Sequence, residues 1–351
     1  MRRASAVLKP LGTWLVRQLV RAVVVLWLVV TAIFIGVRAI PGDPAEAIMG
    51  GPGSQASAEA LDMARAEYGL DRPLVEQYLI FLGNLLRGDL GVSYSYQDPV
   101  TEIIGDVFPQ TLLLAVVSLL TAWLLALVLS LISVGRGRAS RWMTSLLEII
   151  AAAVPHFWLG AVLITVFSTN LGLLPSIDNG RASGLILPAL TLAIPMSGFM
   201  AQLMRDSLTQ AMSSPFVLAA RARGASTVQV FFAHGLRHSI LPVLNMSGWS
   251  FSSLLSGAVV VEEVFARPGI GRALLQGVLS RDIPLVTGIA VLCAVCYIVV
   301  MALAEATEQL INPAGADQHP DQDSPDGPLP ATVAEETIAP SVVPEPGVRR
   351  S

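Results

Sequence analysis

The sequence predicts an all-α, polytopic membrane fold of six transmembrane helices, with an extracytoplasmic helical segment after the first. Three observations predict it. Of 351 residues, 53% are hydrophobic and 14% charged, whereas a soluble domain carries about a quarter charged residues. The apolar residues gather into runs near the ~20 residues needed to cross a bilayer core. The basic residues are distributed unevenly among the connecting segments, which sets an orientation. A net charge of −4 excludes a nucleic-acid partner as the organising theme.

Residues 1–14 read as a cytoplasmic amino terminus and 15–38 as the first transmembrane helix. Arg2, Arg3, Lys9, Arg17 and Arg21 imitate the basic start of a secretory signal. The apolar run Ala22 to Val37 nevertheless reaches Arg38 without a small-x-small cleavage site, so it is read as a retained anchor. Residues 41–107 carry eleven acids against Arg65, Arg72 and Arg87, which places this segment outside and both termini in the cytoplasm. Pro41-Gly42-Asp43-Pro44 opens it as a turn, and Ala58–Tyr68 and Leu74–Leu86 have helical spacing.

Further spans are expected at 109–134, 143–170, 185–205, 242–261 and 284–310, giving a five-helix permeation core over 109–312. Arg136, Arg138 and Arg141 form a basic inside loop, in keeping with that orientation. From Pro313 to Ser351 the composition changes to eight prolines and seven acids with no periodic apolar pattern, the signature of a disordered cytoplasmic tail.

The longest inside loop, 206–241, has internal order. Ser214-Pro215 suits a helix start, and Gly224 suits a left-handed stop, so Phe216–Arg223 reads as a helix of about two turns. Ser226 with Gln229 forms a capping-box pattern for a second helix, Thr227–His238, and Pro242 begins the next span. An amphipathic connector lying at the membrane surface has the same spacing.

Chemical motifs are scarce. The only lysine is Lys9, so no Gly-x-x-x-x-Gly-Lys phosphate loop exists, and energy for any uphill work has to come from a partner subunit or an ion gradient. His234 and His238 lack the glutamate of a zinc-protease motif. Cys293 and Cys296 read as small helix-packing residues. His156 follows Pro155 inside an expected span, as a packing or interfacial histidine or as a group that tunes the pore or its substrate. Gly269-Ile270-Gly271 is a lone G-x-G, too little for dinucleotide binding. Nothing calls for a cofactor, a metal or a catalytic residue.

The stretch Phe216-Val217-Leu218-Ala219-Ala220-Arg221-Ala222-Arg223-Gly224, together with Leu236 through Leu241-Pro242, resembles the EAA loop of bacterial ATP-binding cassette importer permeases. Ile40–Pro44, Tyr68–Leu74, Gly88–Gly91, Ser256–Glu262 and Phe265–Arg272 are similar to further blocks of the dipeptide, oligopeptide and nickel branch. Leu218 stands where the general pattern has glutamate, and His156 where that branch usually has serine. The resemblance implies a multi-pass protein of the bacterial inner membrane. Its implied partners are a second permease, cytosolic ATP-binding subunits and an extracytoplasmic solute-binding protein. The implied cargo is a di- or oligopeptide, with nickel or a metal chelate as the alternative and an ion-gradient carrier as a more distant one. Phe216, Leu218, Ala219, Ala220, Arg221, Arg223, Gly224, Leu241 and Pro242 are then the residues expected to couple the permease to its ATPase.

Overall fold

A computed structural model describes residues 2–39, 43–50, 56–134, 137–215, 217, 222–224 and 236–311. The expected tail 313–351 lies outside the described residues, as do Ile40–Gly42 and, within the loop 206–241, residues 216, 218–221 and 225–235. By its contacts the chain divides at Thr307, and the packing below concerns the larger, preceding unit.

Regular structure among the described residues is helical, apart from a lone antiparallel bridge between Val92 and Pro99. In order come α1 (Arg2–Ala39), α2 (Pro44–Ile48), α3 (Ala58–Glu67), α4 (Leu74–Leu86), α5 (Val100–Val134) and α6 (Arg138–Ala153). They are followed by α7 (His156–Leu163), which continues as a π-helix (Ile164–Asn170), then α8 (Ala182–Met212), α9 (Leu236–Val264), α10 (Ile270–Leu279) and α11 (Ile283–Ile311).

Four helices, α1, α5, α8 and α11, are each long and apolar enough to cross a membrane, and the bent pair α6–α7 forms one more span if taken together. The expected span 143–170 is therefore not straight. It breaks at Val154-Pro155 by 105°. Proline's ring crowds the residue before it and drives that residue out of the α region, and Val154 indeed sits at φ −74, ψ 126. α9 has ample length, but Ser247, Ser250, Ser252, Ser253 and Ser256 dilute its apolar character. It also runs unbroken through Leu241 and Pro242, so Pro242 lies inside this helix and not at its start.

The segment between α1 and α5 follows its local signals closely. Ser57 caps α3, its hydroxyl accepting from the Ala60 N–H at 3.2 Å, and Gly69 at φ +64 supplies the left-handed turn before α4. Arg65 holds Asp43 in an ion pair. That hydrogen bond, with a second from the Ala45 N–H, keeps the Asp43 carboxyl below the usual aspartate range. This clamp is present above the ordinary aspartate pKa and is lost as the pH falls through the lowered value.

α8 is the central helix of the bundle: 72% of its apolar window is buried, against 6% for α1. It packs against α5, α9 and α6. Leu187, Leu192, Met200 and Met204 from α8 meet Leu114 and Ala122 of α5 and Leu254 and Ala258 of α9 in one continuous core. Gly198 sets the approach to α6. A Cβ there would stand 2.6 Å from the Glu148 carbonyl oxygen and 2.7 Å from the Ala152 nitrogen, both backbone atoms that cannot step aside.

Gly198→Val is expected to lower stability by at least the ~1–3 kcal/mol typical of overpacking. Gly36→Val in α1, where a Cβ meets nothing within 4 Å, is expected to be tolerated. Thermal melting of the two variants in detergent checks the difference.

Candidate functional site

Two regions of the bundle concentrate polar chemistry. One lies at the carboxyl end of α8, where the coupling residues were expected. α8 stops at Met212, and the Ser213 N–H returns to the Thr209 and Gln210 carbonyls at 3.2 Å each. The Ser214 hydroxyl donates to the Ala211 carbonyl at 2.5 Å, and the Val217 N–H donates to the Ser214 carbonyl at 3.1 Å. Val217 is fully buried, while Arg223 and Gly224 are exposed. Gly224 adopts φ +88, with open space where a Cβ would stand. The requirement for glycine is therefore conformational and not steric. Phe216, Leu218, Ala219, Ala220 and Arg221 lie outside the described residues, and of Leu241 and Pro242 only the backbone is described.

Two turns before the end of α8, Arg205 reaches Glu148 of α6 at 3.3 Å and Asp206 at 3.6 Å. Glu148 is fully buried. A buried ion depends on its partner for solvation, so this pair fastens α8 to α6 near the carboxyl end of α8.

The second region was not anticipated as a site. Glu262, near the end of α9, is fully buried. It accepts from the Thr111 hydroxyl at 2.6 Å and from the Gly271 and Arg272 N–H groups at 2.8 and 3.2 Å. Thr111 in turn accepts from the Ile270 N–H at 2.9 Å. A carboxylate thus satisfies the first N–H groups of α10, where the helix dipole also favours negative charge. The Gly269-Ile270-Gly271 sequence belongs to this arrangement. A Cβ on Gly269 would collide with the Glu262 carboxyl group, and one on Gly271 with the Val259 backbone.

Beside it, Arg267 donates to Asp178 at 2.6 Å and to Gln110 at 3.1 Å, and the Asp178 N–H donates to the Phe265 carbonyl at 3.0 Å. Both charged side chains are at least nine-tenths buried. Asp282 performs a similar task for α11: it accepts from the Leu285 N–H at 3.2 Å as an N-cap, from the Ser93 hydroxyl at 2.5 Å and from the Ser95 N–H at 3.0 Å. These bonds tie α5, α9, α10, α11 and two connecting loops into one face.

His156 opens α7, half buried. Its Nε2 would lie 3.6 Å from a Cβ on Gly257, so it packs at the seam between α7 and α9. Among the described residues no group of three or more His, Cys, Asp and Glu is placed to hold a metal. Cys293 and Cys296 are free and partly buried on one face of α11.

A bundle of long apolar helices knit by buried charges has the construction of a multi-pass membrane protein. Comparison with known families identifies it. Residues 118–314 match the binding-protein-dependent transport system inner membrane component, and residues 11–115 match the amino-terminal region of the same membrane components. The chain belongs to this family: it is the inner-membrane permease subunit of an ATP-binding cassette importer, a multi-pass and non-catalytic part that works with ATP-binding and solute-binding proteins.

The chain is similar to the glutathione transport system permease protein GsiC of Escherichia coli O6:H1, 34% identical over 302 residues covering 86% of this chain and 98% of that protein. The GsiC of Escherichia coli K12 is 33% identical over the same coverage. A solved structure described as inward-facing conformations of the MetNI methionine ABC transporter aligns with a TM-score of 0.51 at 16% identity, over 60% of this chain and 96% of that one. It supports the fold.

The Arg267–Asp178 pair makes a sharp test of this face. Arg267→Ala, which strands a buried carboxylate, is expected to destabilise by about 3–5 kcal/mol. The double variant Arg267→Met with Asp178→Leu should recover most of that loss in a chemical-denaturation series. If the two single losses simply add, Arg267 and Asp178 are not coupled.

Proposed function

We propose that this permease moves di- or oligopeptides delivered by an extracytoplasmic binding protein, in a complex with a second permease and paired cytosolic ATPases. Its extended likeness to a glutathione permease supports the reading, since glutathione is a small peptide and the likeness spans nearly the whole of that protein. The proposed topology has six spans, with α9 as the fifth and both termini in the cytoplasm. Residues 41–107 lie outside in this scheme, 109–312 form the core, and 313–351 trail from it as a cytoplasmic tail. Ser247, Ser250 and Ser252 return their hydroxyls to carbonyls four residues back, which lets α9 cross lipid without exposing free donors.

The coupling element is the segment from Phe216 to Gly224, with Leu241 and Pro242 at its return. The left-handed Gly224 supports this assignment, because φ +88 is the conformation that a glycine stop after a short helix requires. Arg221 and Arg223 supply its charges. ATP binding acts through differential contact with this elbow in the inward- and outward-open states, the only way a partner shifts such an equilibrium. His156, at the seam of α7 and α9, is assigned to tuning the path and not to binding a metal.

Two experiments follow. The reconstituted complex is expected to take up labelled di- and tripeptides when ATP and the binding protein are present; uptake of nickel chelates alone would overturn the cargo. Gly224→Val forces a branched residue into the left-handed region at about 1–2 kcal/mol. It should lower coupled uptake roughly tenfold, the factor that ~1.4 kcal/mol represents, without loss of membrane insertion. Gly224→Asn, which tolerates that region, should retain most of the activity. Equal activity in all three forms removes the elbow from the mechanism.

A further inference from the structure

Away from both polar regions, α1, α4 and α11 enclose two adjoining cavities. One, of about 370 Å³, is lined by Phe34 and Arg38 from α1, by Gln77 of α4 and by Glu67, Asp89 and Tyr94. The other, of about 390 Å³, is lined entirely by apolar side chains, among them Val23, Trp27 and Val30 of α1, Leu82 and Leu86 of α4 and Val291 of α11. Leu85 lines both, so the polar chamber and the apolar groove lie side by side.

Arg38 is the unusual group in this cleft. It stands in the last turn of α1, half buried, with its guanidinium carbon 3.5 Å from the centre of the Phe34 ring. Its Nη2 donates to the Gln77 side-chain oxygen at 2.6 Å, and Nη1 reaches the Phe34 carbonyl at 3.4 Å. Among the described residues its contacts are with neutral groups, whereas Arg72, on the same chamber, is paired with Glu76 at 3.1 Å. A cation at the edge of a membrane that no carboxylate pairs attracts an anion.

The groove beneath needs a different occupant. Water there would require two to four polar partners, and the lining supplies apolar side chains. The depth of the cleft is indicated by α4. This 13-residue apolar helix has no buried residue, and it exposes Leu74, Val75, Leu79 and Leu86, the habit of a helix lying in the interfacial layer. The chamber is thus at headgroup level, and the groove descends between the spanning helices α1 and α11.

We propose that this cleft holds one zwitterionic phospholipid from the leaflet at the Arg38 end of α1, its phosphate on Arg38 and an acyl chain in the groove. Glu67 and Asp89, on the same chamber, suit the headgroup amine. The bound lipid completes the packing between α1 and the rest of the bundle. The inference depends on membrane embedding alone, and neither the direction of insertion nor the nature of the cargo enters it.

Native mass spectrometry of the full transporter, extracted in mild detergent, tests the proposal. The wild type is expected to carry a phospholipid adduct at one-to-one stoichiometry. Leu82→Trp, which fills the groove, and Arg38→Gln, which removes the charge, should lose it, and Arg38→Lys should keep part of it. Should the variants fold poorly, the wild type alone suffices: stripping lipid with excess detergent should lower its melting temperature, and adding back phosphatidylethanolamine should restore it. An unadducted wild type, an adduct retained in both loss variants, displacement by inorganic phosphate or a short peptide, or no thermal response to added lipid would each overturn the assignment.

Discussion

Lipid offers no hydrogen bonds, and that constraint governs nearly every feature of this chain. Backbone groups close on themselves as helices, and side-chain hydroxyls do likewise: Ser118, Thr121, Ser130 and Thr191 each donate to the carbonyl four residues back. Charges appear inside only with partners, as in Glu148–Arg205, Arg267–Asp178 and the Glu262 network. Where the chain departs from the α-helix, at Val154-Pro155, it does so beside α8 and α9, which pack against α7.

Much of this was legible in the sequence, because periodicity and punctuation are local. The helix Leu74–Leu86 was expected with the bounds it has, and Gly224 was read as a left-handed stop from its place after a short amphipathic stretch. Span ends were legible only approximately. α5 begins at Val100, ahead of the expected 109, because Glu102, Asp106 and Pro109 interrupt the apolar run without stopping the helix. The 105° bend was hidden because Pro155 interrupts a run whose apolar character never falters.

The face around Glu262 and Arg267 was harder to read, for a physical reason. Thr111 and Glu262 lie 151 positions apart, and Gln110 and Arg267 lie 157 apart. No local pattern announces a bond of that span. Gly269 and Gly271 looked like an incomplete nucleotide fingerprint, yet they are absent side chains that make room for a carboxylate and a neighbouring helix. The blocks Ser256–Glu262 and Phe265–Arg272 were noticed as resemblances, but only the fold revealed that they form two sides of one cap.

The two polar regions constrain how work can travel through the bundle. Glu148 serves α8 twice: its carbonyl lies under Gly198, and its carboxylate meets Arg205. Those fastenings oppose sliding of α8 along α6, since a packed backbone seam has no continuous range of positions. In the proposed coupling scheme, a displacement entering after Met212 moves the two helices together. The break at Val154-Pro155 lies directly beyond α6, with His156 in the first turn after it. Arg267, Asp178 and Glu262 hold their loops to α5 and α9, so a rotation of the α6–α8 pair meets buried charges there and not loose loops.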